Sequence, residues 1–150
     1  MDESPNHTKP LLLLAPALLL AGCVEVPETI YSTCHATATS DWRAEIELRP
    51  SAHNRPVMQR FLVVTGNVTV PSGGYAVSLA QGPVERSDPP IQQILIRTRP
   101  PGGMATQALT THDVRAEFPA MKGYGGLTIR CGDGTVGFVK AVEEPAPDAG

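Results

Sequence analysis

The chain has 150 residues, with 12 basic and 15 acidic side chains and a formal net charge of −3. This balance produces no strong electrostatic field, so we expect no nucleic-acid partner. The length suits a single domain with a modest hydrophobic core once a targeting segment is set aside.

An apolar segment lies near the start of the chain, at residues 11–21, and Pro16 is its only interruption. It is shorter than the roughly 20 residues that a membrane-spanning helix requires. It matches the apolar core of a secretory signal, which typically has about 7–15 residues. The segment ends in Leu20-Ala21-Gly22-Cys23, where small residues suit a peptidase groove and the cysteine thiol can carry a lipid.

These four residues resemble the lipobox of bacterial lipoproteins. The resemblance covers residues 1–23 alone. It implies that 1–22 are a signal peptide removed by signal peptidase II and that Cys23 is diacylglycerylated. Two acyl chains suffice for stable membrane attachment. Val24 stands where Asp would favour the inner membrane, so we expect the outer membrane. An ordinary secretory signal, or a buried apolar helix with a chance cysteine, is the alternative.

The sequence contains three cysteines, an odd number for a secreted protein. Lipidation of Cys23 would leave Cys34 and Cys131 as an even pair in an oxidising compartment, and we predict a disulfide that joins them strand to strand. A metal pair or a thiol switch is the alternative reading. The sequence has no C-x-x-C motif and no ligand cluster at zinc spacing, so we expect no metal site.

Residues 23–33 are interpreted as a lipidated tether and 34–142 as a β domain. The clearest strand is 41–49, where apolar and charged residues alternate with period two. Trp42 begins its inward face and is expected to anchor the core against the disulfide. Further strands are predicted at 61–70, 75–80, 91–98, 104–109, 110–118, 127–131 and 135–142.

Turn residues predict how these strands connect. The turn at 71–74 is expected to close a hairpin between 61–70 and 75–80, and a second turn lies at 100–103. Asp133-Gly134 is a strong hairpin signal. Gly66 marks a bulge or a close backbone approach.

No helical periodicity follows the signal segment, and the segment 143–150 reads as a disordered acidic tail. The pattern therefore predicts an all-β fold, a small antiparallel β-sandwich of immunoglobulin-like size with about seven strands. A small closed β-barrel is the alternative.

No catalytic motif is present, and we expect no enzyme activity and no cofactor. The histidines downstream of the signal, His35, His53 and His112, are interpreted as independent. The adjacent pair His112 and Asp113 points to opposite faces of a strand, so Asp113 is expected to bond a neighbouring backbone NH or Arg115. Glycine loops at 73–74, 102–103 and 123–126, with Tyr75 and Tyr124, are the first place to look for a partner surface.

The sequence does not disclose a molecular activity. It favours a lipoprotein that is anchored to a membrane facing the periplasm and acts as a non-catalytic interaction or structural module of the cell envelope. An envelope protein is the candidate partner. A small-ligand-binding or hydrolase-inhibitor lipoprotein is the alternative.

Overall fold

The structure of the chain, a computed structural model, describes residues 33–52 and 57–145. These residues form seven β-strands and no helix. In chain order the strands are β1 (Ala38–Pro50), β2 (Met58–Val70), β3 (Ala76–Glu85), β4 (Ile91–Arg99), β5 (Thr110–Pro119), β6 (Gly126–Cys131) and β7 (Gly134–Val139).

The strands form two sheets, one with the order β1-β2-β5 and one with the order β3-β4-β6-β7. The expected all-β fold with seven strands is confirmed, whereas the alternative of a closed barrel is wrong because the sheets are separate. The expectation of purely antiparallel pairing is also wrong, since β4 and β6 are parallel. The chain leaves β4, forms β5 in the other sheet, and returns to begin β6 beside the start of β4.

The hydrophobic core lies between the two sheets and shows the predicted alternation. On β1 the inward residues Ala44 and Ile46 are 3% and 4% exposed, whereas Leu48, in the same alternation, is 39% exposed near the end of the strand. Strand β4 is buried on both faces, because Leu95 lies against the irregularity at Gly82 in the neighbouring strand β3. The core residues from the facing strands are Leu62, Val64, Val68, Val70, Ile94, Ile96, Val114, Leu127, Ile129 and Val139.

One predicted connection and one predicted strand are wrong. Strands β2 and β3 do not form a hairpin, because residues 71–74 carry the chain from one sheet to the other. Residues 104–109 form a loop and not a strand, since no neighbouring strand pairs with them. The hairpin at Asp133-Gly134 is confirmed, with β6 and β7 antiparallel.

The structure contains the predicted disulfide between Cys34 and Cys131, whose Cα atoms lie 5.2 Å apart. Cys131 ends β6, but Cys34 precedes β1, so the expected strand-to-strand geometry holds on one side only. The bond closes a loop of 97 residues. In the chain-entropy treatment, a loop of this length contributes about 4–5 kcal/mol to stability.

Trp42 turns into the core at an irregular point of β1. The register between β1 and β2 shifts between Ser40 and Arg43. The Trp42 ring then lies over Gly66, where an added β-carbon would be 2.6 Å from Cζ3, and beside Gly137. The close approach predicted at Gly66 is therefore present, and the bulge lies in the strand opposite. The contacts that define the ring's position are these two glycines.

The end of the described chain is part of the fold. The sequence placed Glu143 and Glu144 in a disordered tail, but Glu143 bonds to the edge of β1 through its N–H to Ala44 (2.9 Å) and its carbonyl to Ile46 (2.8 Å). The Glu144 carboxylate pairs with Arg60 at 2.8 Å. The rest of the predicted tail, 146–150, lies outside the described residues.

Gly66→Ala is expected to lower the free energy of unfolding by about 1–3 kcal/mol, because the added methyl overlaps the Trp42 ring in a filled core. Urea denaturation measures the change. Gly123→Ala is the matched control, since a β-carbon at position 123 meets no atom within 4 Å. Equal transition midpoints for the two variants would contradict the packing described above.

Candidate functional site

The domain has two distinct ends. Residues 33–37, the N-terminal segment, enter at one end, where Thr37 N–H donates to the Thr69 carbonyl at 2.8 Å and His35 N–H donates to Thr98 Oγ1 at 2.9 Å. We call this the proximal end. The distal end is formed by the opposite strand termini and the loop at 120–125. The predicted lipidation residue, Cys23, lies outside the described residues.

The predicted glycine loops do not form a single surface. Loops 71–75 and 100–109 meet at the proximal end, where a β-carbon on Gly74 would lie 2.7 Å from Pro101. Tyr75 also lies there, with its ring centroid 5.5 Å from that of His35. The third loop, with Tyr124, is at the distal end. The three glycine loops and their neighbouring tyrosines therefore lie at two opposite ends of the domain and do not form one site.

The Tyr124 hydroxyl serves an internal role. It accepts a hydrogen bond from the Met121 N–H at 2.8 Å. Burial raises the pKa of Tyr124, because the ionised phenol would lose hydration. A neutral, half-buried hydroxyl with a backbone partner orders the loop, so this tyrosine is not a free contact residue.

The histidines are separate, as expected where the structure describes them. His35 lies beside Thr98 at the proximal end. His112 is half-buried on β5, and its neighbour Asp113 is exposed on the other face, so the two do not form a dyad. His53 lies outside the described residues. Within 33–52 and 57–145, no three His, Cys, Asp or Glu residues are grouped so that they could hold a metal ion.

Four charged side chains form a network on the outer face of the three-stranded sheet. Arg49 of β1 contacts Glu117 of β5 at 2.6 Å and its own strand neighbour Glu47 at 2.5 Å. Arg115 of β5 forms an ion pair with Glu47 of β1 at 2.7 Å. The network thus spans the two outer strands, across the central strand β2. The expected bond between Asp113 and Arg115 is absent, because the Arg115 guanidinium is directed to the two glutamates.

The two arginines shift the titration of both carboxyl groups. Hydrogen bonds from Arg49 hold the pKa of Glu117 at about 2, well below its ordinary value of 4.5. Hydrogen bonds from Arg49 and Arg115 lower the pKa of Glu47, and hydrogen bonds to Glu47 and Glu117 raise the pKa of Arg115. All four side chains remain charged near neutral pH, which suits a structural clamp better than proton transfer.

A polar depression of about 370 Å³ adjoins this network. In the strand register Arg43 and Arg115 stand on either side of Thr65, so two guanidinium groups border the same space. Unlike Arg115, Arg43 has no ion pair with any residue that the structure describes. The depression is lined by Asp41, Arg43, Thr65, Gly66, Asn67, Asp113, Val114 and Arg115.

Asp41 has an unusual backbone at the rim of this depression. Its φ is 56°, in the left-handed region that few non-glycine residues adopt. Its carboxylate accepts hydrogen bonds from Ser40 Oγ at 2.8 Å and Asn67 Nδ2 at 3.0 Å. Strained backbone of this kind clusters at functional sites. The alternation of β1 predicted an outward charged face, but it did not reveal the irregularity that aims Asp41 at Asn67.

A second depression, of about 420 Å³, lies at the distal end. It is more apolar and includes Met58, which is 52% exposed, and Phe61, over which the Arg49 guanidinium stacks at 5.1 Å. Pro119 and Ala120 complete its apolar wall. No pattern in the sequence set this surface apart, because its residues come from separate strand ends.

The chain matches no family model, no curated protein and no solved structure. The residues described by the structure include no helix with the length and hydropathy needed to cross a membrane.

Glu117 is expected to make stability depend on pH in the acidic range. Its pKa is lower in the folded chain than its ordinary value, so its ion pairs stabilise fully above about pH 4.5 and are lost as the pH falls towards 2. Glu117→Gln should flatten the dependence of the melting temperature on pH in that window. The control is Glu45→Gln, an exposed glutamate outside the network. Parallel pH profiles for the parent and Glu117→Gln would contradict this assignment.

Proposed function

We propose that this chain is a bacterial envelope lipoprotein. A lipid on Cys23 would hold it to a membrane that faces the periplasm, with the outer membrane favoured. The supporting observation is the Cys34–Cys131 disulfide. It accounts for two of the three cysteines and suits an oxidising compartment. The remaining cysteine is the one in the Leu20-Ala21-Gly22-Cys23 motif.

The β domain then acts as a non-catalytic interaction or structural module, and an envelope protein is its candidate partner. The network of Arg49, Arg115, Glu47 and Glu117 supports this role, because its charges neutralise one another and clamp the sheet. We further propose that the two-sheet fold is a sandwich of immunoglobulin-like size. Small β domains commonly offer strand edges or loops to protein partners.

The position of the N-terminal segment supports a particular orientation. Only residues 24–33 separate Cys23 from the disulfide, and the disulfide lies at the proximal end of the domain. An anchored domain would therefore turn its distal end and the outer face of its three-stranded sheet towards the periplasm. Both depressions described above are on these accessible surfaces.

Cys23→Ser is expected to abolish metabolic labelling with a palmitate analogue and to move the chain from the membrane fraction to the soluble fraction. The thiol is the proposed site of acylation, and without the lipid no durable anchor remains. Val24→Ala is the matched control and should keep both the label and the membrane location. A Cys23→Ser variant labelled as strongly as the parent would refute the proposal.

The alternative is a small-ligand-binding or hydrolase-inhibitor lipoprotein, and the polar depression is the observation that favours it. Its volume of about 370 Å³ is sufficient for a small ligand. It presents the Arg43 guanidinium and the Asp113 carboxylate beside the strained Asp41. This mixture of donors and acceptors suits a polar, uncharged or zwitterionic ligand better than a lipid chain.

Isothermal titration with soluble fragments of envelope polysaccharide tests this alternative. Binding should weaken severalfold in the double variant Arg43→Gln/Asp113→Asn, because both polar partners on the wall of the depression are altered. Lys122→Gln, an exposed charge change in the distal loop, should leave binding unchanged. Absence of heat with the parent chain, or equal affinities in both variants, would reject a polysaccharide ligand at this depression.

A further inference from the structure

The loop between β4 and β5, residues 100–109, carries two strongly exposed hydrophobic side chains. Met104 is 106% exposed and Leu109 is 72% exposed, more than any other large hydrophobic residue that the structure describes. The loop sequence, PPGGMATQAL, contains no charged side chain. Side chains of this kind are costly in water and gain from an apolar neighbour.

The loop is held in a defined place while its tip projects. A β-carbon on Gly74 would meet Pro101 at 2.7 Å and Ala105 at 2.8 Å, so the base of the loop is seated on the turn at 71–75. Gly102 and Gly103, at the tip, have no atom within 4 Å of the place a β-carbon would take. Met104 follows this tip and extends away from the domain.

The loop is at the same end as the proposed anchor. The disulfide fixes Cys34 to the proximal end of β6, and the loop begins where β4 ends, also at the proximal end. The ten residues of 24–33 reach at most about 35 Å when fully extended. A lipid on Cys23 would therefore keep loop 100–109 near the bilayer surface.

We propose that loop 100–109 is a second membrane contact, in which Met104 and Leu109 enter the interfacial region of the bilayer that holds the lipid on Cys23. The inference rests on the proposed function, because it needs the anchor to bring the loop to the membrane. The occupant is a phospholipid surface and not a protein. Burial of a charge-free loop gains apolar contact without removing a charge from water.

The charged residues near the loop are compatible with a contact that is limited to the interfacial region of the bilayer. Arg99, exposed at the base of the loop, can extend its side chain to the headgroups and attract anionic lipids. Asp133, in the exposed turn between β6 and β7 at the same end, opposes deeper entry. The balance restricts insertion to the tip of the loop and leaves the two sheets outside the bilayer.

The exposed methionine at the other end does not fit the same role. Met58 is also half-exposed, but it lies at the distal end, beside the charged network of Arg49 and Glu117. A strand of 13 residues such as β1 extends for about 40 Å, so the two ends do not reach one membrane surface together. Met58 and Met104 thus form a natural pair for comparison.

Site-specific photocrosslinking of the full chain in cell membranes tests the inference. A diazirine analogue of leucine replaces Met104 in one variant and Met58 in the other. After illumination, mass spectrometry should find severalfold more phospholipid adducts at position 104 than at 58. Position 104 makes no packing contact that the replacement could disturb, since its side chain is fully exposed.

Equal phospholipid yields at the two positions, in a chain that carries the palmitate label, would overturn the loop contact and leave the anchor standing. A predominant protein adduct at position 104 would also overturn it, in favour of a protein partner for this loop. In the Cys23→Ser background the adduct at 104 should disappear together with membrane association. If it persists on the unanchored chain, the loop binds lipid by itself, and the inference that the anchor brings it to the membrane is overturned.

Discussion

The Cys34–Cys131 disulfide is the constraint on which the organisation of this domain depends. It joins the segment before β1 to the end of β6, across 97 residues, and so connects the start of one sheet to an inner strand of the other. Because the bond lies at one end of the domain, it also fixes where the chain enters. The distinction between a proximal and a distal end follows from that single attachment.

Packing between the sheets is set by one aromatic ring and two glycines. Trp42 enters the core in phase with Ala44 and Ile46, at the irregular point of β1 between Ser40 and Arg43, and the ring has space because Gly66 and Gly137 lack side chains. The same irregularity leaves Asp41 at the surface with a left-handed backbone. One local distortion therefore serves the core on one side and shapes the polar depression on the other.

The outer face of the three-stranded sheet has one region in which the charged side chains pair with one another and a second region that contains the polar depression. Glu47 and Glu117 stand on strands separated by β2, about 10 Å apart in the sheet, and the two arginines bridge that gap. Val63, on the same face of β2, is only 1% exposed because the neighbouring side chains cover it. Arg43 and Asp113 remain beyond this network, which is why the depression they border can offer polar contacts.

Sequence patterns were enough to predict the all-β class, the positions of most strands, the inward side of β1 at Trp42, Ala44 and Ile46, the cysteine pair and the turn at Asp133-Gly134. These features depend on local patterns, because alternation, β-branched residues and turn residues act within a few positions. It also provided the lipobox resemblance, which belongs to a segment outside the described residues.

The tertiary structure alone decided the division into two sheets, the parallel pairing of β4 with β6, the loop at 100–109 and the pairing of Glu143 with β1. Each depends on which distant segments meet, and strand patterns carry no information about their partners. For the same reason the charged network, both depressions and the location of Met104 and the N-terminal segment at the same end of the domain could not be predicted from the sequence. Their residues are scattered along the chain, and only the fold brings them together.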